Sequence, residues 1–481
     1  MSPIGKVIKK LPRVFWASNI MELFERWAWY GVYNALALYL TLSKDTGALG
    51  FTQGEKGIII GTGSMLLYFL PLITGAIADK IGYKKVLILS FSMYVIGYYM
   101  IGTFDTYGRV FFAYIFLATA GAFFKPIISA MVAKTTNEET SSIGFGIFYM
   151  MVNIGGFIGP FIAGLVYELN WNYVFYISIA VIALNFIIVF FFFREPARDE
   201  SNDIGSLGNK IIEAFRNIIF TLADWKYVLF LMIMTLFWTA FNQLFYSFPV
   251  FINDWVNLNK LGASVGLAPG KITAVGLTSL DAFFIIVLQL FISSITMKFK
   301  PLHAMMGGML ILAGGLFFMF ASQNAWIVIL GILVFAIGEM ASSPKYTEYI
   351  GRIAPLDKKA LYMGTSFLPI GAAHFLAGIL SGKLYANISE KFTLLTKAVA
   401  DKGLHIPALS DTFTKNDYLT MAAEKMNISP HELTHYLWTR YHPSRIWILY
   451  TGIGISAAVF LFLYDRFILK GADVSKNSIR E

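Results

Sequence analysis

The sequence contains no cysteine among its 481 residues. This absence excludes disulfide bonds and any metal or redox chemistry that needs a thiolate. Charged residues are also scarce, at 14% of the chain, whereas soluble domains contain about 25%. Hydrophobic residues make up 57%, and the 44 Phe and 25 Tyr suit lipid-facing and interfacial surfaces. The composition therefore predicts a polytopic membrane protein.

We expect no cleavable signal peptide, because the apolar stretch after the basic residues 1–13 is too long and too charged for one. The net charge of +9 is spread over loops and chain ends. In a membrane protein this distribution reflects topology and argues against a nucleic-acid partner.

The apolar stretches predict the fold. Twelve of them are long enough to cross a bilayer, at roughly 14–42, 57–78, 86–104, 108–133, 144–167, 172–194, 226–252, 272–297, 302–321, 325–345, 360–385 and 444–469. They form two groups of six. We therefore predict an all-α membrane protein with 12 transmembrane helices in two six-helix bundles, residues 1–194 and 226–481.

Lysine and arginine predict the orientation. With the amino terminus inside, the inner loops and the tail collect most basic residues, among them Lys80, Lys84, Lys85, Lys134, Arg194, Arg198, Lys298, Lys300, Arg352, Lys358, Lys359, Arg466 and Lys470. This positive-inside bias predicts that both termini are cytoplasmic, in a multi-pass protein of the plasma (inner) membrane.

Two segments outside the spans are unusual. Residues 195–225 carry apolar residues at helical spacing, which predicts an amphipathic helix on the cytoplasmic interface that joins the halves; a plain linker is the alternative. Residues 386–443 form a long outer loop. Ser429 before Pro430 is typical of a helix start, and we predict a helical hairpin inserted on the outer face.

The first span contains three charged residues, although a helix that crosses a bilayer is normally apolar. Glu22, Glu25 and Arg26 lie within five residues, and a charge at the centre of a bilayer helix costs about 2.5–3.5 kcal/mol. Their spacing places all three on one face of the helix. We therefore predict that this face lines the interior of the bundle or a water-filled cavity.

A few further polar residues fall inside predicted spans: Lys125, Asn153, Gln243, Asp281 and Glu339. Basic groups in the amino-terminal half and acidic groups in the carboxyl-terminal half predict a dipolar cavity between the halves. Such a field suits a zwitterion, with its carboxylate near Arg26 and Lys125 and its ammonium near Glu339. Permanent pairing that only fixes helix register is the alternative.

Protonation offers a way to couple this cavity to a gradient. Loss of charge on a carboxylate of the first-span cluster would release a basic partner and change substrate binding or helix packing. The loop 75–85 has a different pattern, with Asp79, Lys80 and Lys84 beside a tight turn. These residues are predicted to form a charged latch that acts as a gate.

Several motifs resemble those of one family. The loop 75–85 resembles the signature of the major facilitator superfamily. The pattern Glu22-x-x-Glu25-Arg26 with Tyr30-Gly31 is similar to that of the proton-dependent oligopeptide transporters. Further segments agree with that family in order and spacing: Lys125-Pro126 with Ser129, Phe148–Gly155, and Gly338-Glu339 with Ser343-Pro344.

The resemblance implies a proton-coupled symporter that imports di- or tripeptides by alternating access around a midplane site. It implies a membrane protein that needs no cofactor beyond the proton gradient, and we expect a monomer. It further implies that Arg26 and Lys125 meet the peptide carboxyl group and Glu339 its amino group. Tyr30, Tyr68 and Asn153 would hold other peptide atoms, and Glu22, Glu25 and Lys125 would couple protons.

The sequence departs from the family pattern at several positions, which leaves the substrate's identity open. Trp29 stands where the family usually has a tyrosine, and Asp281-Ala282 where it often has Asn-Pro. We include Trp29, Gln243 and Asp281 among the predicted substrate-binding residues. Neither a catalytic residue nor a metal site is expected in the transporter.

Three alternatives remain open. The chain could carry another small zwitterion or anion, such as a peptide-like or cell-wall-derived solute. It could be a peptide sensor that binds without transporting. The third alternative is a metallopeptidase in the outer loop, fused to a carrier. The sequence His431-Glu432-Leu433-Thr434-His435 matches a zinc-peptidase pattern, although His442 is not at the usual spacing of a third ligand.

Overall fold

The computed structural model describes residues 8–137, 140–195, 218–355 and 358–469, together with Gly208, Ile212 and Arg216. The described residues form helices joined by turns and loops, with one isolated β-bridge and no strand among them. Its long helices, in chain order and with their breaks, are Arg13–Thr41; Gln53–Phe69 with Pro71–Ile81; Tyr83–Thr103; Tyr107–Lys134; Ser141–Val166; Trp171–Phe191; Trp225–Phe241 with Gln243–Tyr246 and Phe248–Trp255; Ala274–Thr296; Pro301–Ala321; Ala325–Ile353; Lys359–Thr365 with Phe367–Ile379 and Tyr385–Ser389; and Ile446–Leu463. We refer to them as the first to the twelfth span.

These spans coincide with the twelve predicted stretches, and the predicted fold class is confirmed. Within the described ranges, ten helices are long and apolar enough to cross a membrane by length and composition. An eleventh crossing is the second span, whose two parts meet at an angle of 52°. The first span, with its charged cluster, is too polar to count by composition, although its 29 residues are long enough to cross. Most of the predicted amphipathic segment 195–225, namely 196–207 and nearly all of 209–217, lies outside the described residues.

Glycines allow the first span to pack closely inside the amino-terminal half. It contacts the fifth and sixth spans. A Cβ atom on Gly159 of the fifth span would lie 2.3 Å from the carbonyl oxygen of Trp27, so only glycine permits this approach. Small residues at such crossings are the usual means of helix association in membranes. The carboxyl-terminal half packs its ninth span against the tenth and twelfth, and its seventh against the eleventh and twelfth.

The two halves meet on the side of the molecule that carries residues 390–443, which we call the insertion side. There the second span packs against the eleventh and the fifth against the eighth. The Thr273 hydroxyl donates to the carbonyl oxygen of Gly164 at 3.1 Å. In the described residues the fourth and fifth spans make no comparable contact with the tenth and eleventh. The structure is therefore closed on the insertion side and open on the opposite side.

The closed contact between the second and eleventh spans predicts the effect of an added methyl group. A Cβ on Gly57 would lie 2.1 Å from the carbonyl oxygen of Gly378, whereas a Cβ on Gly54 of the same helix would meet only a side-chain atom at 3.8 Å. Overpacking costs about 1–3 kcal/mol. Gly57→Ala should therefore lower the ratio of closed to open molecules at least about fivefold, and Gly54→Ala should leave it unchanged.

Spin labels on introduced cysteines can measure this ratio, because the chain has no native cysteine. Thr106→Cys and Val265→Cys place one label on each half at the insertion side, both in loops. Equal distance distributions in Gly57→Ala and Gly54→Ala would contradict the close contact.

The insertion contains three helices, Lys391–Asp401, Lys415–Lys425 and Pro430–Tyr441, so the predicted two-helix hairpin is wrong. The additional helix, 391–401, forms because it buries an apolar face of Leu394, Leu395, Ala398 and Val399. The predicted helix start at Ser429 is confirmed: its hydroxyl and the Glu432 carboxylate form a capping box, with Pro430 in the first turn.

Candidate functional site

The three charges of the first span meet in the interior of the amino-terminal half. Arg26 contacts Glu22 through Nε at 3.2 Å and Glu25 through a terminal nitrogen at 2.5 Å. The hydroxyl of Tyr94, from the third span, donates to the other oxygen of Glu25. All three charged residues are buried, Glu25 completely. Two carboxylates thus share one guanidinium, and the cluster carries a formal charge of −1 when every group is ionised.

Lys125 lies nearby but outside this cluster. Its ammonium rests over the ring of Tyr68, 4.2 Å from the centroid, and no carboxylate among the described residues lies within 4.0 Å of it. A cation held by an aromatic face keeps hydrogen-bond donors for a further partner. Both glutamates instead pair with Arg26, and Lys125 remains outside the cluster.

Pro126 helps to position Lys125. Proline has no backbone N–H, so the carbonyl four residues earlier loses its helical donor. That carbonyl belongs to Ala122, and the hydroxyl of Thr74 in the second span donates to it at 2.6 Å. The fourth span is thereby joined to the second span, which also carries Tyr68.

The carboxyl-terminal half contributes two carboxyl groups. Asp281 of the eighth span and Glu339 of the tenth span are neighbours in the wall of one cavity. No described donor reaches Asp281 Oδ1 or Glu339 Oε2. The neighbouring Gly338 lets the tenth span approach the ninth, because a Cβ there would lie 2.4 Å from the backbone nitrogen of Leu312. The result is an acidic wall that no Lys, Arg or His of the described residues approaches within 4.0 Å.

These groups line one cavity between the halves. It encloses about 840 Å³ of empty space, part of it continuous with the open mouth. The predicted residues that line it are Arg26, Trp29, Tyr30, Tyr68, Lys125, Asn153, Asp281 and Glu339. The basic groups come from the amino-terminal half and the acidic pair from the carboxyl-terminal half. The structure thus brings together in one chamber residues that are more than 300 positions apart.

Gln243 is the predicted binding residue that the structure does not bring to the cavity. It is fully buried, and its side chain bonds within its own span, donating to the Thr239 carbonyl at 3.3 Å and accepting from the Ser247 hydroxyl at 2.7 Å. It satisfies polar groups at a break in the seventh span. The adjacent Asn242 lines the cavity instead.

Sequence reasoning missed His374 in the eleventh span. Its Nδ1 lies 3.1 Å from the Tyr246 hydroxyl and 3.4 Å from the Tyr33 hydroxyl. Its ring stacks on Tyr68 with centroids 5.1 Å apart and an interplanar angle of 18°. His374 therefore joins the halves at the closed end of the cavity. A lone histidine in an apolar span is the signal that would have found it.

The predicted latch residues Asp79, Lys80 and Lys84 lie on the open side. Asp79 accepts a hydrogen bond from the Tyr83 hydroxyl at 2.7 Å. The backbone N–H groups of Tyr83 and Lys84 donate to the Glu195 carboxylate at 2.6 and 2.9 Å, a favourable position for an acid at a helix start. These contacts stay within the amino-terminal half, so they brace its loop in this open state.

The His-Glu-Leu-Thr-His segment, residues 431–435, lies on an exposed helix of the insertion. The Ser429 backbone N–H and hydroxyl both donate to Glu432 at 2.8 Å. These hydrogen bonds lower the pKa of Glu432. Its carboxylate therefore caps the amino terminus of its own helix.

Comparison with known proteins places this architecture in a family. The model of the Major Facilitator Superfamily matches residues 19–367. The dipeptide and tripeptide permease B of Salmonella typhimurium is 22% identical, over 85% of this chain and 93% of that protein.

Solved structures agree in fold. A transporter of the proton-dependent oligopeptide transporter (POT) family in complex with 5-aminolevulinic acid superposes with a TM-score of 0.68 at 17% identity, over 97% of this chain and 100% of that one. A single-residue mutant of the nucleoside transporter NupG superposes with a TM-score of 0.69 at 13% identity, over 94% and 99%. The fold alone therefore does not select the substrate. The chain belongs to the Major Facilitator Superfamily, and the resemblance of its motifs to the proton-dependent oligopeptide transporters is confirmed by these relatives.

Proposed function

We propose that this secondary transporter is a proton-coupled symporter that imports di- and tripeptides by alternating access. It would act as a monomer in the plasma (inner) membrane, with both termini cytoplasmic and no cofactor beyond the proton gradient. Membership of the superfamily makes it a transporter, not an enzyme. The permeases among its relatives support the peptide assignment.

The observation that carries the proposal is the placement of charge in the cavity. Lys125 has no carboxylate partner within 4.0 Å among the described residues, and no basic side chain among them lies that close to Asp281 or Glu339. A zwitterionic peptide supplies both missing partners, its carboxylate toward Lys125 and its ammonium toward the acidic pair. Charge-assisted hydrogen bonds of this kind are about twice as strong as neutral ones. Arg26, already shared by two glutamates, would assist at the carboxylate end.

Proton coupling is proposed for Glu22 and Glu25. When either carboxyl group takes a proton, its attraction to Arg26 falls, and the guanidinium can turn toward the cavity and the substrate. Because Glu25 also bonds to Tyr94 of the third span, its protonation would change helix packing as well. Lys125 would then respond to the charge of the cluster through space.

A second candidate function has one specific observation in its favour. The structural relative described above holds 5-aminolevulinic acid, a zwitterion that is not a peptide. The charges of the present cavity suit any small zwitterion with a similar separation of its ends. A carrier of such a solute is therefore the second candidate. A peptide sensor that binds without transporting is a further alternative.

Uptake by proteoliposomes separates these functions. We expect labelled dialanine to accumulate when a proton gradient is imposed and not when it is collapsed. A competition panel of dipeptides, tripeptides, amino acids and 5-aminolevulinic acid then ranks the substrates. Binding without accumulation would favour the sensor, and the absence of both would refute the peptide assignment.

Glu339→Gln should weaken binding of dialanine about tenfold to a hundredfold, since a charged hydrogen bond contributes about 1.5–3 kcal/mol. Binding of N-acetyl-dialanine, which lacks the ammonium, should be equally weak in the native protein and the variant. Isothermal titration calorimetry of the four combinations gives the coupling energy. An equal loss for both ligands would show that Glu339 does not meet the amino group.

A further inference from the structure

The insertion belongs to the carboxyl-terminal half of the chain, yet its second helix begins on the amino-terminal half. The ammonium of Lys415 donates to the carbonyl oxygens of Thr41 at 2.9 Å and Phe51 at 3.2 Å. Thr41 is the last residue of the first span. The carbonyl groups at a helix end lack intrahelical donors and carry the negative end of the helix dipole. Lys415 thus caps the first span from the other half of the molecule.

Hydrogen bonds on both sides of Lys415 extend this contact. The amide of Asn416 donates to Asp45 at 2.7 Å, and its backbone N–H donates to the Ser43 hydroxyl at 3.2 Å. The amide of Gln53 donates to Glu390 at 3.1 Å. We call these contacts between residues 41–53 and residues 390–416 the clasp. The pair Lys44 and Asp411 also belongs to it, but it is exposed and contributes little.

Asp45 stays ionised within the clasp. Partial desolvation would raise its pKa, but hydrogen bonds from Ser43, Asn416 and Thr414 outweigh this effect and lower the pKa. The charge on Asp45 therefore remains available to Asn416 at neutral pH.

The clasp connects to a buried contact below it. Gln53, which binds Glu390, also accepts from the ammonium of Lys56 at 2.7 Å. Lys56 is completely buried in the second span and donates to the carbonyl oxygens of Tyr246 at 2.8 Å and Ser381 at 3.1 Å.

Both carbonyls lie where helices of the carboxyl-terminal half are irregular. Tyr246 ends a short helix at a break in the seventh span, and Ser381 lies in a π-helical turn of the eleventh. Irregular turns leave carbonyl groups in need of a donor. Lys56 supplies it from the amino-terminal half, so the surface clasp and the buried contact share Gln53 and close the same side.

We propose that the insertion is a conformational clasp that docks on the loop 42–52 only while the insertion side is closed, and that it stabilises this state. The clasp goes beyond the proposed function, because it concerns the resting conformation and not the substrate. Its partners belong to the two halves, which must part on this side in alternating access. Every cross-half bond of the clasp must therefore break before substrate can enter from the insertion side.

Lys415→Met tests the clasp while keeping most of the length of the side chain. With labels at Thr106→Cys and Val265→Cys and no substrate present, the variant should show a ratio of open to closed molecules about tenfold above the native ratio. Lys402→Met is the matched control. Lys402 is also in the insertion, but its ammonium lies 5.2 Å from the ring of Tyr436 within the same insertion, and the distance distribution should not change.

A disulfide gives an independent test, because it replaces the hydrogen bonds of Ser43 and Asn416 with a covalent link across the clasp. Ser43 and Asn416 are in hydrogen-bond contact, close enough to test a bridge between Ser43→Cys and Asn416→Cys. The oxidised protein should lose nearly all dialanine uptake, and reduction should restore it. Dialanine uptake by the reduced protein of the same batch separates the two ideas: no transport in either form is a failure of the peptide assignment alone.

Two results would overturn the clasp. One is an unchanged distance distribution in Lys415→Met. The other is undiminished uptake by the oxidised double-cysteine protein in which cross-linking has been verified, because the insertion side would then open with the clasp still closed.

Discussion

Replacing Glu25 by glutamine is expected to abolish proton-driven accumulation of substrate while leaving part of the exchange activity. Glutamine keeps the size of the side chain but cannot bind and release the proton. Glu25 is completely buried and contacts both Arg26 and Tyr94, so its charge state affects two elements at once. Exchange needs no net proton movement, and only the step that couples the gradient to transport should be lost.

Reconstituted protein allows both activities to be measured on one preparation. We expect accumulation driven by a proton gradient to fall at least about a hundredfold, as for the loss of a coupling free energy of about 3 kcal/mol, and counterflow exchange to persist. Glu22→Gln should behave in the same way, because Glu22 shares Arg26. Glu424→Gln, on an exposed helix of the insertion, is the control. Normal gradient-driven uptake in both glutamine variants of the cluster would sink the coupling hypothesis.

The second large effect is expected at Lys125. Lys125→Met removes the charge but keeps a chain that can still contact Tyr68. Loss of a charged hydrogen bond in a partly desolvated site costs about 1.5–3 kcal/mol, so dialanine should bind about tenfold to a hundredfold more weakly. Both gradient-driven uptake and exchange should fall, in contrast to the glutamate variants, because each requires substrate binding.

The ligand itself provides the control for this variant. Dialanine amide lacks the carboxylate, and its affinity should be about equal in the native protein and in Lys125→Met. Lys134→Met serves as the matched protein control. Lys134 is in the same span and also lies over a tyrosine ring, that of Tyr83 at 4.9 Å, but it is outside the cavity. A similar loss of affinity for dialanine and its amide would show that Lys125 acts on protein structure and not on the carboxylate.

Apolar runs were sufficient to predict the twelve spans, because a segment that crosses a bilayer must be long, apolar and helical whatever surrounds it. The same constraint made the charged residues conspicuous. Glu22, Glu25 and Arg26 had to face inward, and their spacing on one helix turn already brought them within reach of one another. These inferences need only the geometry of one helix and the poor solubility of charges in lipid, and both can be judged from the sequence.

Partners on different spans could not be predicted. The sequence left open whether Lys125 or Arg26 is the partner of the glutamates. In the structure Arg26 contacts both carboxylates, and the packing of the second span against the fourth places Lys125 over the ring of Tyr68. Gln243 and Asn242 are adjacent and chemically similar. The break in the seventh span turns one into the wall and the other into the cavity, and no periodicity in the sequence reports that break.

The insertion shows the same limit. The start of its last helix could be predicted, because Ser429 and Pro430 are local signals. Its contact with the loop 42–52 was not, since Lys415 and Thr41 are 374 residues apart and either could have faced solvent.

The sequence by itself determined that the chain crosses the membrane many times, that its halves are alike in span number, and that the first span carries an inward-facing charged cluster. Tertiary structure alone decided which charges pair, which remain for a ligand, and which side of the molecule is closed. The reason is physical. Membrane insertion depends on each segment's own transfer free energy, whereas pairing depends on distances between spans that are set by close packing at glycines such as Gly57 and Gly159.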